Sequence, residues 1–179
     1  IDDNLISAEL ALGYTYFDQF KFDEAFGIFS KSLEKSQIIG DNRYIANSLK
    51  AVGEIYWGKD IEKSMQYYNE ALGIFHEIND KNGIGHTYRD IGNLKGMSGE
   101  LDNAIIYYGN SQDAFIELGD DIESERTLNN IGNVSIGMGD YAKAKTSLEA
   151  SLMLNTLHDN KNGLWRNYTN LAYLYRDLE

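Results

Sequence analysis

The sequence predicts an all-α solenoid of repeated helical hairpins, and three observations support this fold class. The chain repeats itself about every 40 residues, and small residues anchor the repeats at Gly13, Gly53, Gly92, Gly132 and Ala172. Apolar residues within each repeat follow the helical period. The 179 residues include no proline that would interrupt a helix. A period of this length indicates a stack in which each unit buries its apolar face against its neighbours.

Each repeat reads as two helices joined by a short turn. The turns contain Gly, which adopts positive φ at helix ends, and Asp or Asn, which cap the helix that follows. From the apolar period and these end signals, the predicted helices span residues 3–18, 22–39, 42–58, 61–78, 83–98, 101–118, 122–137, 141–157 and 162–177. The ninth helix has no successor, so the sequence predicts four hairpins plus one additional C-terminal helix.

The composition limits the classes of partner. Twenty-eight acidic residues against 16 basic ones give a net charge of -12, which disfavours binding to nucleic acid. Without cysteine the chain forms neither disulfides nor thiolate metal sites. No apolar run has the length needed to span a bilayer, and no targeting segment is visible. We therefore expect no membrane association and a cytoplasmic location.

The residues around the anchor positions resemble the tetratricopeptide repeat, which has Leu-Gly in its first helix and a small residue in its second. The Leu-Gly positions read Leu12-Gly13, Val52-Gly53, Ile91-Gly92, Ile131-Gly132 and Leu171-Ala172. We expect Gly53 and its equivalents to let the two helices of a unit approach closely. The small residues of the second helices are Ala25, Ser64, Ala104 and Ala144, followed four positions later by Phe29, Tyr68, Tyr108 and Leu148. The chain departs from the family at Lys95 and Ser135, where a Tyr is usual, and it lacks the closing Pro.

The period is similar to that of the long, roughly 40-residue subclass found in kinesin light chains, G-protein-signalling scaffolds and bacterial regulators. This resemblance implies a right-handed superhelix. It also implies a single domain over 1–179, with repeats at about 3–41, 42–80, 81–120 and 121–160 and a terminal helix at 161–179. We expect the chain to be a piece of a larger regulatory protein, in which it serves as a sensor or adaptor.

In this family the first helices line the concave wall, through positions six before, three before and one after the anchor Gly. Four cations fall at such positions (Lys50, Arg89, Arg126 and Arg166), against one acid, Glu54. The candidate groove residues are Asn47, Lys50, His86, Arg89, Asn93, Arg126, Asn129, Asn133 and Arg166.

These residues predict a scaffold that binds a protein or peptide, with an extended acidic segment or a terminal carboxylate in the groove. Arg offers forked donors to carboxylates, and Asn can both donate to and accept from a peptide backbone. By resemblance, Asn93 and Asn133 match the asparagine that holds a ligand's main chain. In the alternative interpretation, the cations pair with Asp90, Glu125 or Glu54 and are merely solvated.

Two aromatic residues near the predicted groove have two possible roles. Phe17 and Trp57 follow the anchor Gly by four residues, where they could stack on a ligand, although packing against the next turn is favoured.

Self-association through the ends of the stack is the alternative function, with a homodimer formed through the C-terminal helix. The residues that would form that contact are Tyr168, Leu171, Ala172 and Tyr175.

The sequence predicts no enzyme, no cofactor and no metal site. The segment Gly53–Asp60 approaches the phosphate-binding motif, but Asp60 replaces the hydroxyl residue that the motif needs, and Gly53 lies within a predicted helix. The three histidines, His76, His86 and His158, are far apart, whereas zinc needs three or four converging ligands.

Overall fold

The computed structural model describes residues 3–178, and nine α-helices with no strand make up this part of the chain. The helices are α1 (Asp3–Asp18), α2 (Phe22–Ile39), α3 (Asn42–Tyr56), α4 (Ile61–Glu77), α5 (Lys81–Met97), α6 (Leu101–Leu118), α7 (Asp121–Met138), α8 (Tyr141–Leu157) and α9 (Lys161–Arg176). Every predicted helix is confirmed, with each end within two residues. The predicted domain ends, residues 1–2 and 179, lie outside the described residues.

The helix ends form as the sequence predicts, because side-chain carboxylates and amides satisfy the first free N–H groups. The side chains of Asp41, Asp60, Asp120, Asp140 and Asn160 each accept a hydrogen bond from the first turn of the following helix. Gly40, Gly119 and Gly139 adopt the left-handed conformation at the ends of α2, α6 and α7.

The chain divides into two compact units, residues 1–87 and 88–179, with the boundary inside α5. In the first unit, the core of α1–α3 contains Ile6, Leu10, Ala25, Phe29, Ala51, Val52 and Ile55. Gly13 faces the ring of Phe29, and Gly53 faces the ring of Tyr68. The single-domain boundaries stay a prediction.

The second unit repeats this packing at α5–α9. A Cβ added to Gly92 would lie 2.7 Å from Tyr108 Cε1, and one added to Gly132 would lie 2.5 Å from Leu148 Cγ. Both distances are below van der Waals contact, so these positions allow an approach that only glycine permits. The close approach predicted at the anchor glycines is therefore confirmed in both units.

We predict opposite effects on stability for alanine at two glycines of the second unit. Gly132→Ala is expected to destabilise the protein by about 1–2 kcal/mol, because the new methyl group overlaps the fully buried Leu148. Gly109→Ala, in α6, is the matched control, since no atom lies within 4 Å of its added Cβ. It should stabilise the protein by about 0.5–1 kcal/mol through helix propensity.

Chemical denaturation monitored by circular dichroism measures both effects. A Gly132→Ala variant as stable as Gly109→Ala would contradict the assigned role of the anchor glycine.

Candidate functional site

In the second unit, two of the predicted groove arginines share one carboxylate. Arg126 Nη1 lies 2.7 Å from Glu123 Oε1, and Arg89 Nη1 pairs with Glu123 Oε2. The guanidinium of Arg89 also lies over the ring of Phe115, 5.6 Å from its centroid. Glu123 therefore fixes the orientation of both arginines. This role of Glu123 was not predicted from the sequence.

The third arginine, Arg166, pairs with a buried acid. Its Nη2 lies 3.3 Å from Glu125 Oε2, and Glu125 is only 1% exposed. The Oγ of Ser151 donates to Glu125 Oε1 at 3.0 Å. A buried carboxylate is stable only when it is paired and hydrogen-bonded, and both conditions hold here. The pairing of Arg166 with Glu125 is one of the contacts in the alternative interpretation of the sequence.

These side chains surround a small polar pocket of about 260 Å³ within the second unit. Its lining residues are Arg89, Arg126, Asn129, Asn130 and Arg166. Four of the five, all except Asn130, are predicted groove residues. The structure thus brings part of the predicted set together around one cavity.

Two of the residues that line the pocket have buried donors that lack acceptors. Asn129 Nδ2 and Arg166 Nε are both buried and have no hydrogen-bond partner among the described residues. The orientation of the Asn129 amide is set by Asn170, whose Nδ2 donates to Asn129 Oδ1 at 2.8 Å. A buried donor without an acceptor is unfavourable by about 1–3 kcal/mol. An oxygen acceptor that reaches either donor would remove its penalty.

Asn93 lies next to the pocket, hydrogen-bonded to the core. Tyr108 Oη donates to Asn93 Oδ1 at 2.8 Å, and Asn130 Nδ2 lies 3.4 Å from the same oxygen. Asn133 is exposed on α7. Burial of Tyr108 raises its pKa to about 12, while the charge of Arg89 lowers that pKa and the charge of Asp90 raises it.

The remaining candidates belong to the first unit. Lys50 Nζ lies 2.5 Å from Glu54 Oε1, and both side chains are largely covered. Tyr14 Oη donates to the same carboxylate oxygen at 3.3 Å. Asn47 and His86 are half-buried on α3 and α5. The predicted alternative pairing of a groove cation with Glu54 is therefore also present.

Within residues 3–178, no three or more His, Cys, Asp or Glu side chains are grouped so that they could hold a metal ion. None of the described helices is both long enough and apolar enough to cross a membrane.

The raised pKa of Tyr108 predicts a loss of stability at high pH. The unfolded state releases the phenol proton near pH 10, whereas the folded state keeps it until about pH 12. The difference in pKa therefore adds about 2–3 kcal/mol to the free energy of unfolding below pH 10. This contribution is lost as the pH rises from 10 to 12. Urea denaturation at pH 9, 10, 11 and 12 should show this decline in the unsubstituted protein, with a smaller decline in Tyr108→Phe. Parallel declines would contradict the assignment.

Matches to a known protein family fall in both units. Family models described as tetratricopeptide repeat match residues 4–77 and 125–156, which together make up more than half of the chain. No curated protein sequence matches.

Several solved structures share the fold at identities below 20%. BtubC (BKLC) from P. vanneervenii has a TM-score of 0.85 and 18% identity over 97% of this chain and 72% of its own. The STAND protein with a tetratricopeptide repeat sensor from Pyrococcus horikoshii has a TM-score of 0.88 and 17% identity, with 97% and 26% covered.

A third similar structure is the Rap conjugation gene regulator of the plasmid pLS20, solved in complex with the Phr* peptide. Its TM-score is 0.87 and its identity 15%, with 100% of this chain and 49% of that chain covered. The present chain therefore spans about half of the Rap regulator and about a quarter of the STAND protein. The matched family models, the anchor positions and the nine helices of the described residues lead to one conclusion: the chain belongs to the tetratricopeptide repeat family.

Proposed function

We propose that this chain is a peptide-binding scaffold that holds a carboxylate of an extended partner segment in the pocket of the second unit. It acts by binding, without catalysis, as a sensor or adaptor part of a cytoplasmic regulatory protein. The observation that carries the proposal is the pair of buried donors, Asn129 Nδ2 and Arg166 Nε, which lack acceptors among the described residues. A carboxylate oxygen supplies an acceptor for each.

The charges around the pocket define what kind of acidic ligand fits. Glu123 and Glu125 offset much of the charge of Arg89, Arg126 and Arg166. The wall is therefore less basic than the spacing of the cations predicts. Recognition then depends on directed hydrogen bonds more than on net charge, which favours one well-placed carboxylate over a dense run of acidic residues.

Flexible and fixed donors are combined in this pocket. The Arg126 side chain is half-exposed, and N–H groups of its guanidinium that do not bind Glu123 can donate to a ligand. Arg89 is largely covered, and its contact with Phe115 restricts its movement. A pocket with fixed donors loses little conformational entropy when a ligand binds.

Two of the similar structures support the proposal at the level of the fold. The Rap regulator was solved with a peptide, and the STAND protein is described as carrying a tetratricopeptide repeat sensor. The low identity limits this support to the scaffold. The acidic character of the ligand rests on the pocket of this chain alone.

The test replaces the buried donor by an acceptor of the same shape. Asn129→Asp keeps an oxygen for Asn170 but presents a carboxylate oxygen where Nδ2 was. We expect it to weaken binding of a labelled, amidated Ala-Glu-Ala-Glu-Ala peptide about tenfold or more, measured by fluorescence anisotropy. Asn110→Asp, at an exposed site on α6, makes the same change in net charge and should leave the affinity within about twofold.

The lysine counterpart, Ala-Lys-Ala-Lys-Ala, should bind more weakly than the glutamate peptide. Equal affinities of the Asn129→Asp and Asn110→Asp variants would contradict the pocket assignment, provided that their melting temperatures agree. Tighter binding of the lysine peptide would contradict the proposed ligand class.

The second candidate function is self-association through α9. Of the four residues predicted for this contact, Leu171 is instead buried in a core cluster with Ala144 and Leu148. Tyr168 and Tyr175 are exposed, and Tyr168 and Ala172 line a shallow cavity together with the exposed Trp165 and Tyr173. A contiguous aromatic patch of this kind is typical of protein interfaces. If α9 joins two copies, light scattering should show a dimer for the unsubstituted chain and a monomer for Tyr168→Glu. A monomer for the unsubstituted chain at high concentration would exclude this function for the chain.

A further inference from the structure

The first unit contains a second, larger cavity that the proposed function does not use. It measures about 460 Å³ and lies at the turns that follow α1 and α3. Four of its nine lining residues are aromatic, and Asp18, Glu54 and Lys59 also contribute to the lining. The aromatic residues that line it are Phe17, Phe20, Phe22 and Trp57.

The rings are held against one another but are incompletely covered. Phe22 makes edge contacts with Phe17 and Phe20, with ring centroids 5.3 and 6.2 Å apart. Trp57 is 45% exposed and Phe20 is 80% exposed. Large aromatic rings around a cavity of this size can enclose an apolar side chain of a partner.

The backbone of Phe20 gives independent support for a binding role. Phe20 has φ of +61°, in the left-handed region that bulky residues disfavour. The corresponding turns after α5 and α7 place Gly99 and Gly139 in this conformation, and the turn after α3 uses Gly58. The first hairpin therefore adopts a strained backbone that displays a phenyl ring. Strained residues of this kind persist only where the surrounding structure holds them, and they cluster at binding and active sites.

The charges at the rim of the cavity indicate the chemistry of the occupant. Asp18 is exposed and makes no ion pair with any described residue. Glu54 is paired with Lys50, and Lys59 Nζ lies 5.1 Å from the centroid of the Phe22 ring. The carboxylate of Asp18 is thus available to a cation of the partner. The net charge of -12 also favours the approach of a basic segment.

We infer that this aromatic pocket is a docking site for a protein segment that carries a large apolar side chain flanked by Lys or Arg. The apolar side chain enters between Phe20, Phe22 and Trp57, and the cation faces Asp18. The site differs from the carboxylate pocket in its residues, its unit and the charge of its ligand. An experiment that contradicts one of the two proposals therefore does not contradict the other.

Trp57 itself provides the readout. The chain has two tryptophans, so Trp165→Phe leaves Trp57 as the only indole. In this background we would titrate three amidated peptides: Arg-Ala-Phe-Ala-Arg, its Glu-flanked counterpart, and Arg-Ala-Ala-Ala-Arg. The first should shift the emission of Trp57 to shorter wavelengths, with an affinity about tenfold higher than either of the others. No shift with the first peptide, or an affinity for either of the other two peptides equal to that for the first, would overturn the proposal.

Phe20→Gly separates binding from stability. Glycine relieves the left-handed strain, so the melting temperature should stay equal or rise. The affinity for Arg-Ala-Phe-Ala-Arg should fall about tenfold because one wall of the pocket is lost. Ile38→Ala removes an exposed apolar side chain of α2 outside the pocket and should leave the affinity unchanged. Unchanged affinity in Phe20→Gly would overturn the proposal, as would an equal loss in Ile38→Ala.

Discussion

The close approach of paired helices at the anchor glycines is the constraint on which the rest of this structure depends. At Gly92 and Gly132 the opposite helix brings Tyr108 or Leu148 to a distance that excludes a side chain. These contacts fix the register of each hairpin, and the register decides which residues face the core and which lie elsewhere on the helix. Tyr108 links the two roles directly, because its hydroxyl donates to Asn93, a candidate groove residue.

The same register shows that Glu125 departs from the pattern of the repeats. Glu125 lies seven residues before the anchor Gly132, where the first unit has the buried residues Ile6 and Ala46. The carboxylate is stable in this position because Ser151 and Arg166 contact it. It pairs with Arg166, which lines the same cavity as Asn129, the residue with the unpaired buried amide donor. An acidic residue at a position that is apolar in the first unit thus contributes to the candidate binding surface.

The sequence predicted the helices and the anchor contacts well because both depend on local, periodic signals. It also placed Arg89, Arg126, Asn129 and Arg166 among the groove candidates, and these residues line one cavity. Glu123 was not predicted as the shared partner of two arginines, because side-chain orientation is set by tertiary contacts. The left-handed Phe20 has a visible sequence signal, the glycines at the corresponding position of other hairpins, but its exposure required the structure.

The central claim is that the Asn129 amide donates to an oxygen of a bound peptide. Its side-chain N–H₂ resonances in a nitrogen-15 correlation spectrum report this contact directly. On addition of an acidic peptide, we expect the Asn129 N–H₂ signals to move downfield together with the guanidinium Nε–H of Arg166. Unchanged Asn129 and Arg166 signals at saturating peptide, with perturbations confined to other surfaces, would contradict the account.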